Sequence, residues 1–283
     1  SLMSLSKTKI NPKEFGSIFF GSETPPYAVN PSSTIIGDFL GMETQNLALD
    51  TQFACRAATA ALSISLEMVK SGKQKYGLVC GSDKANARPG DALEYSAGSG
   101  AVSLITGDED VLLEVVDSYS FSTDTPDFWR RGKQSYPSHA GRFTGLPSYF
   151  HHIKTTTDTI LEKNSLKATD FQKAVFHMPN SKFPKRIAKS LGFNKEQLKD
   201  SLVVSQVGNS YTASALMGLV SSLDSAKSGD LIYFCSYGSG AGSDAFVFRV
   251  TDQIKEKKQD FKSILNKKQY IDYQTYQKFM GII

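Results

Sequence analysis

The sequence predicts an α/β fold built from two duplicated halves, and three observations carry that prediction. Short apolar, β-branched or aromatic runs alternate with helical patterns, as they do where strands and helices are wound together. The segment from Phe15 to Asp83 and the segment from Phe171 to Gly240 share one layout in order and spacing. The chain has 283 residues, 40% of them hydrophobic, enough to bury one large core or two fused ones.

In chain order, the runs at 17–21, 76–81, 101–105, 111–116, 173–177, 202–205, 231–235 and 245–250 read as buried strands. Helical patterns cover 57–70, 148–164, 183–191 and 212–226, each ending near Gly, Asn or a Lys-Ser-Gly stop. In each half a strand delivers a polar residue at its end, Glu23 in the first and His177 in the second. A small-residue helix follows, opened by Cys55 in one half and by Asn209 in the other. Each half then repeats Lys-Ser-Gly, at 70–72 and 227–229, before a strand carrying Cys80 or Cys235. Cys55 lies 32 residues after Glu23, and Asn209 lies 32 residues after His177. Ligands in α/β sheets sit at the carboxyl ends of strands, so this spacing predicts that Glu23, Cys55, His177 and Asn209 converge.

Residues 117–152 are rich in aromatics, Pro and Gly and poor in periodicity, which reads as a long loop, either functional or disordered. The tail at 251–283, dense in Lys, Gln and Tyr, reads as a solvated helix with a few docking aromatics. The domains expected are a first half at 1–117, an active-site insertion at 118–152, a second half at 153–250 and a helical tail at 251–283.

Composition excludes several function classes. A net charge of +4, from 32 Lys and Arg against 28 Asp and Glu, is too mild for a nucleic-acid binder. No apolar run approaches the roughly 18 residues of a membrane-spanning helix, so no membrane partner is expected. Cys55, Cys80 and Cys235 form an odd set without metal-like spacing, and His139, His151 and His152 show no ligand pattern either. A reducing, cytoplasmic location without a metal is the expectation.

The residues able to carry chemistry each have a plainer reading. Cys55 opens a helix, where the backbone dipole favours thiolate and hence a nucleophile; the alternative is a buried cysteine acting as a small hydrophobe. His177 ends an apolar strand and is either structural or the base that a reactive thiol needs. Glu23, in Gly21-Ser-Glu-Thr-Pro-Pro, is a general acid or base, or else turn chemistry. The Gly-rich run Ser236-Tyr-Gly-Ser-Gly-Ala-Gly-Ser243 lacks phosphate-loop spacing and suggests close backbone approach to a ligand. Lys182, Lys185 and Arg186 hold a phosphorylated carrier or form a solvated helix face.

Several motifs in order carry a more specific signal. They are Gly21-Ser-Glu-Thr with Pro26-Tyr-Ala-Val, Phe53-Ala-Cys55-Arg-Ala, Gly90-Asp-Ala-Leu-Glu-Tyr-Ser96 and Thr123-Asp-Thr-Pro-Asp-Phe-Trp-Arg-Arg131. His139-Ala-Gly-Arg-Phe-Thr-Gly145, Phe176-His-Met-Pro, Gly208-Asn-Ser-Tyr-Thr and Ser236-Tyr-Gly-Ser-Gly240 follow. With these, nearly the whole chain resembles the thiolase superfamily and, within it, the archaeal-type hydroxymethylglutaryl-CoA synthase family.

The resemblance implies a layered thiolase-like α-β-α-β-α fold and condensation of acetyl-CoA with acetoacetyl-CoA in the mevalonate route to isoprenoids. It makes Cys55 the acetyl acceptor, Glu23 the acid/base on the acetyl methyl group, and His177 the donor to the ketone oxygen. Asn209 and Ser239 would orient the acyl group, Ser96, Arg142 and Thr144 would line the acyl and CoA pocket, and Lys182 and Arg186 would face the CoA phosphates. No cofactor beyond the CoA thioester substrates is implied. A homodimer is, together with assembly with an acetoacetyl-CoA thiolase through a small bridging protein. The resemblance also implies that the N-terminal part of the first half is missing; a natural protein without it would have an exposed sheet edge and a leaky pocket.

Two other condensing enzymes share much of the set: a β-ketoacyl synthase III-like enzyme would use Cys55, His177 and Asn209, and a polyketide β-branching homologue the trio Cys55, Glu23 and His177. A β-ketoacyl synthase III-like enzyme makes its carbanion by decarboxylation and needs no carboxylate base, so Glu23 argues against it. A polyketide β-branching homologue lacks the archaeal-type middle segment. A non-catalytic acyl-CoA-binding or scaffold subunit is the reading from a different class, and the retained trio argues against it.

Overall fold

The computed structural model describes residues 1–257 and 260–283. Its strands are β1 Phe15–Gly21, β2 Leu47–Thr51, β3 Tyr76–Lys84, β4 Ser99–Thr106 and β5 Leu113–Thr125. They continue with β6 Phe128–Trp129, β7 Ser138–His139, β8 Lys173–Phe176, β9 Leu231–Cys235 and β10 Gly240–Val250. Two sheets are ordered β2-β1-β3-β4 and β5-β10-β9-β8, and β6 and β7 form a small hairpin. β1 runs parallel to β3, and β3 antiparallel to β4. β8, β9 and β10 repeat that pattern, as the shared spacing predicts.

Helices Ala57–Lys70 and Thr212–Leu223 lie between the sheets. Their Ala58, Leu62, Ala215 and Leu216 share one apolar cluster with Phe19 and Val79 of the first sheet and Val175 and Phe234 of the second. Small residues at the start of the first helix permit this approach. At Gly21 the backbone of Ala57 and Ala58 occupies the place a Cβ would take, so the end of β1 touches the head of the helix. Helix Ser32–Leu40 covers the outer face of the first sheet through Leu40, against Ile18 and Leu78. Helices His151–Lys163 and Lys182–Ser190 cover the second through Ile153, Ile160 and Ile187. The result is five layers, α-β-α-β-α.

Several elements differ from expectation. The run at 202–205 is no strand; Val204–Val207 is a single helical turn, with the Gly208 N–H donating to the Val204 carbonyl. Its Val203 and Val204 are buried instead against Met178, Ala213 and Met217. Strand β2 and helix Ser32–Leu40 carry half-exposed, mixed sequences that lack a continuous apolar run. Residues 117–152 are more regular than expected, because β5 continues to Thr125 and pairs with β10. The 117/118 boundary therefore falls inside a strand of the second sheet. In the tail, two short helices, Phe261–Asn266 and Tyr273–Phe279, replace one. Phe261 is buried and its N–H donates to Asp224, while the Tyr273 hydroxyl donates to Glu94. Lys258 and Gln259, within the predicted tail helix, lie outside the described residues.

β4 forms one edge of the first sheet, and the N-terminal turn reaches it where Ser4 bonds the Ser103 carbonyl at 3.0 Å. A groove of about 970 Å³ runs there, bordered by Ser103, Ile105, Leu113 and Leu223. Among the described residues no helix is long and apolar enough to cross a membrane.

Candidate active site

The site begins with two turns at the carboxyl ends of the first sheet. After β1 the chain bends through Ser22, Glu23 and Thr24 around one buried carboxylate, Asp83. Its Oδ1 accepts from the Ser22 hydroxyl at 2.9 Å, the Glu23 N–H at 2.7 Å, and the Thr24 N–H at 2.9 Å and hydroxyl at 2.8 Å. Its Oδ2 accepts from the Thr212 N–H at 3.1 Å, so one side chain fixes the Glu23 loop and touches the second half. After β2 the chain enters a tight 3-10 turn, Ala54–Arg56, through Ala54 at φ +46°. Cys55 sits in that turn at the head of helix Ala57–Lys70.

Glu23 and Cys55 open into one cavity of about 320 Å³. Ser239 lines it from the second half, together with Gln52, Asn86, Phe128, Arg130 and Tyr211. Burial, then the neighbouring Asp83 charge, raises the Glu23 carboxyl to about 7, while the Ala54 amide, Arg130 and the Phe53 amide pull it down. Among the described residues, the buried Glu23 Oε1 has no hydrogen-bond partner.

The thiol departs from the sequence reading. Cys55 does start a helix, but burial and then the charges of Asp83, Glu23 and Asp127 hold its pKa well above the usual thiol range. Burial and three carboxylates outweigh the helix dipole, so the resting group is a thiol and must lose its proton during attack.

His177 follows β8, its N–H donating to the Cys235 carbonyl at 2.9 Å and its own carbonyl accepting from the Tyr149 hydroxyl at 2.7 Å. Burial depresses its imidazole to about 3, so the ring is neutral, and Nδ1 is unpartnered among the described residues. The ring sits 6.4 Å from Tyr237, whose hydroxyl donates to Asp127 at 2.6 Å. Asn209 is fixed by its side-chain oxygen, which accepts from the Tyr211 N–H at 3.0 Å, and by its N–H, which donates to the Ser96 carbonyl. His177 and Asn209 stand outside the walls of the 320 Å³ cavity.

The remaining predicted residues fall elsewhere. The Ser96 hydroxyl turns to the Leu93 carbonyl at 3.2 Å, and the Thr144 hydroxyl to the Asp127 carbonyl at 2.9 Å. Arg142 is exposed in the turn Gly141–Thr144. None of the three is a wall of the cavity. Lys182 and Arg186 are exposed on helix Lys182–Ser190, with the Arg186 guanidinium 4.8 Å from the Phe150 ring centre. Among the described residues no group of three His, Cys, Asp or Glu side chains is arranged to hold a metal ion.

Sequence reasoning missed Asp83, Asp127, Tyr211 and Arg130. Asp127 is fully buried and accepts from Tyr237 and from the Gly240 N–H at 2.8 Å, and Arg130 donates to the Glu23 carbonyl at 3.2 Å. Asp127 and Arg130 lie in the motif Thr123–Arg131, the one signal that pointed at them.

Comparison with known proteins fits this geometry. Residues 161–250 match the family model for the C-terminal part of 3-oxoacyl-[acyl-carrier-protein] synthase III. The hydroxymethylglutaryl-CoA synthase of Archaeoglobus fulgidus is 50% identical over 276 residues, covering 97% of this chain and 80% of that protein. The chain belongs to the hydroxymethylglutaryl-CoA synthase family. The synthase of Aeropyrum pernix is 48% identical over 98% of this chain and 78% of its own. Solved structures agree on the fold. An HMG-CoA synthase complexed with CoA gives a TM-score of 0.87 at 24% identity, over 96% of this chain and 74% of that one. MvaS in complex with 3-hydroxy-3-methylglutaryl coenzyme A gives 0.89 at 23%, over 98% and 77%. The family has a thiolase-like fold, which accounts for the five layers.

Proposed function

We propose that the chain condenses acetyl-CoA with acetoacetyl-CoA and water to give 3-hydroxy-3-methylglutaryl-CoA and CoA, in the mevalonate route to isoprenoids. The observation that carries this reading is a thiol and a carboxyl raised to about 7 in one cavity. Cys55 sulfur attacks the acetyl thioester; the carbon–sulfur bond to CoA breaks, and the thiol proton ends on the departing CoA. The Glu23 carboxylate then takes a methyl proton from acetyl-Cys55, and the enolate carbon bonds to the ketone carbon of acetoacetyl-CoA. Neutral His177 stabilises the developing alkoxide by an N–H hydrogen bond, and the proton held on Glu23 returns to that oxygen. Water hydrolyses the Cys55 thioester, which releases the product and restores the thiol. Decarboxylating condensation has no use for Glu23, so that carboxyl separates this reading from the ketoacyl synthase alternative.

Asn209 and Ser239 orient the acyl group, Ser96, Arg142 and Thr144 support the CoA-binding region, and Lys182 and Arg186 meet the CoA phosphates. Exposed Lys182, Lys185, Arg186 and Lys189 share one face of their helix, which supports that anion contact. A second copy of the chain is the expected partner, docking at the β2 edge, where Leu47, Leu49, Phe39 and Val29 are exposed. Assembly with an acetoacetyl-CoA thiolase through a small bridging protein rests on the family resemblance alone. A cytoplasmic location is supported by three buried cysteines without disulfides.

Intact-protein mass spectrometry after incubation with acetyl-CoA tests the reaction. An acetyl adduct absent from Cys55→Ala, and discharged as hydroxymethylglutaryl-CoA forms on addition of acetoacetyl-CoA, is the expected result. A folded parent chain that takes no acetyl group overturns the assignment. For the dimer, Leu49→Lys should convert it to monomer in analytical ultracentrifugation.

A further inference from the structure

The residue after the nucleophile is a buried arginine that the reaction scheme does not use. Arg56 Nε donates to Asp244 Oδ2 at 3.0 Å and its Nη2 to Oδ1 at 2.7 Å, a bidentate pair in which both side chains are almost fully buried. Its Nη1 donates to the Ser122 hydroxyl at 2.5 Å, and its guanidinium carbon lies 4.4 Å from the Phe53 ring centre. Asp244 also accepts from the Ser120 hydroxyl at 2.6 Å and the Thr59 hydroxyl at 2.7 Å, so both carboxylate oxygens are fully engaged.

These partners come from opposite halves of the molecule. Phe53, Arg56 and Thr59 belong to the nucleophile turn and the helix that follows it, while Ser120, Ser122 and Asp244 belong to β5 and β10. The Gly-rich run fits around the same contact. A Cβ on Gly238 would lie 2.9 Å from Arg56 Cβ and 3.0 Å from its backbone nitrogen, and one on Gly242 would collide with Arg56 Nη1 and stand 2.7 Å from the Phe53 ring. Close backbone approach is what those glycines provide, and at both positions the thing approached is the nucleophile turn.

That turn needs holding. Ala54, between Phe53 and Cys55, takes φ +46°, a conformation that a non-glycine residue keeps only where its surroundings impose it. Contacts on both sides of Cys55 supply that constraint: Phe53 under the guanidinium, and Arg56 on Asp244. We propose that Arg56 and Asp244 are positioning residues for catalysis, a clamp by which the second half fixes the strained turn and aims the Cys55 sulfur into the cavity. This deepens the function proposed above and rests on Cys55 being the acetyl acceptor. Arginine suits the task because its planar fork reaches two carboxylate oxygens and a hydroxyl together; a lysine offers one point of contact.

Three variants test the clamp, read by the maximal rate and KM of Cys55 acetylation together with the melting temperature. Arg56→Lys keeps a cation beside Asp244 without the fork. Arg56→Met combined with Asp244→Leu removes both charges, so that no buried carboxylate is orphaned. Ser122→Ala removes one exposed arm of the network and leaves the core intact. The first two should acetylate about 10–100-fold more slowly at unchanged KM for acetyl-CoA, below their melting temperatures, because a small misplacement of the sulfur costs rate and not binding. Ser122→Ala should lose about two- to fivefold in the same parameter, one hydrogen bond of the fork being gone. A purely structural pair would lower the melting temperature and leave the rate per folded molecule at the parent value. Variants that acetylate like the parent sink the clamp. If the parent itself folds without taking an acetyl group, the Cys55 assignment fails instead.

Discussion

The two halves share one plan and have been put to opposite uses. Each sends a strand to the site, enters its central helix near a non-glycine residue in the left-handed region, Ala54 or Tyr211, and follows with a parallel strand. At the matching positions stand Glu23 and Cys55 in the first half, which line the 320 Å³ cavity, and His177 and Asn209 in the second, which lie outside its walls. Burial drives both titratable strand-end residues toward neutrality, but their chemistry makes the result opposite in sense. The Glu23 carboxyl rises to about 7, within reach of a proton transfer, while His177 falls to about 3 and is left as a neutral dipole. Under the proposed reaction, one half exchanges protons and the other arranges hydrogen bonds.

The largest effect expected from breaking this division is at Glu23. Glu23→Gln should acetylate at near the parent rate yet condense about 10²–10⁴-fold more slowly, measured by single-turnover assays of the two steps. With the Glu23 carboxylate as the proposed base, condensation should rise as pH climbs through about 7 and fall below it. The second half should show its role in stability. His177 has a depressed folded pKa, so its contribution is present above the unfolded value near 6.5 and lost as pH falls from there toward about 3. That loss should reach about 5 kcal/mol, seen as a falling melting temperature that His177→Gln flattens. The smallest contrast separates the central helices. Leu216→Ala, in the fully enclosed second helix, should cost about 2–5 kcal/mol, and Ile64→Ala, 44% exposed in the first, under about 1 kcal/mol in urea unfolding.

Much of this plan was legible in the sequence because it rests on local signals. β1, β3, β8 and β9 are short apolar runs, buried almost throughout, and the two central helices announce themselves by small residues. The repeat of 32 residues pointed to Glu23, Cys55, His177 and Asn209, of which Glu23 and Cys55 line the cavity while His177 and Asn209 stand outside its walls. Where a segment depends on a distant neighbour, the reading failed. Beyond Val116, β5 is mixed polar and apolar and continues as a strand because β10 lies beside it, whereas Leu202–Val204 is apolar but finds a cluster to fill and no strand to join. Asp83 was invisible for the same reason, since its partners Ser22, Thr24 and Thr212 are remote in sequence. The thiolate expected at Cys55 failed because a helix start is a local feature, and the carboxylates that overrule it are brought in by the fold.

One contact gives the duplication a further meaning. The Ala58 N–H, in the first turn of one central helix, donates to the hydroxyl of Thr212, which opens the other, at 2.8 Å. A free amide at a helix start is ordinarily satisfied from within its own segment or by water. Here the capping group is borrowed across the seam, and the same Thr212 reaches back to Asp83. Neither half ends its own helix alone, so the amides around the seam should exchange with deuterium only in the opening that separates the two repeats. A single repeat on its own would lack that cap unless a second copy supplied it.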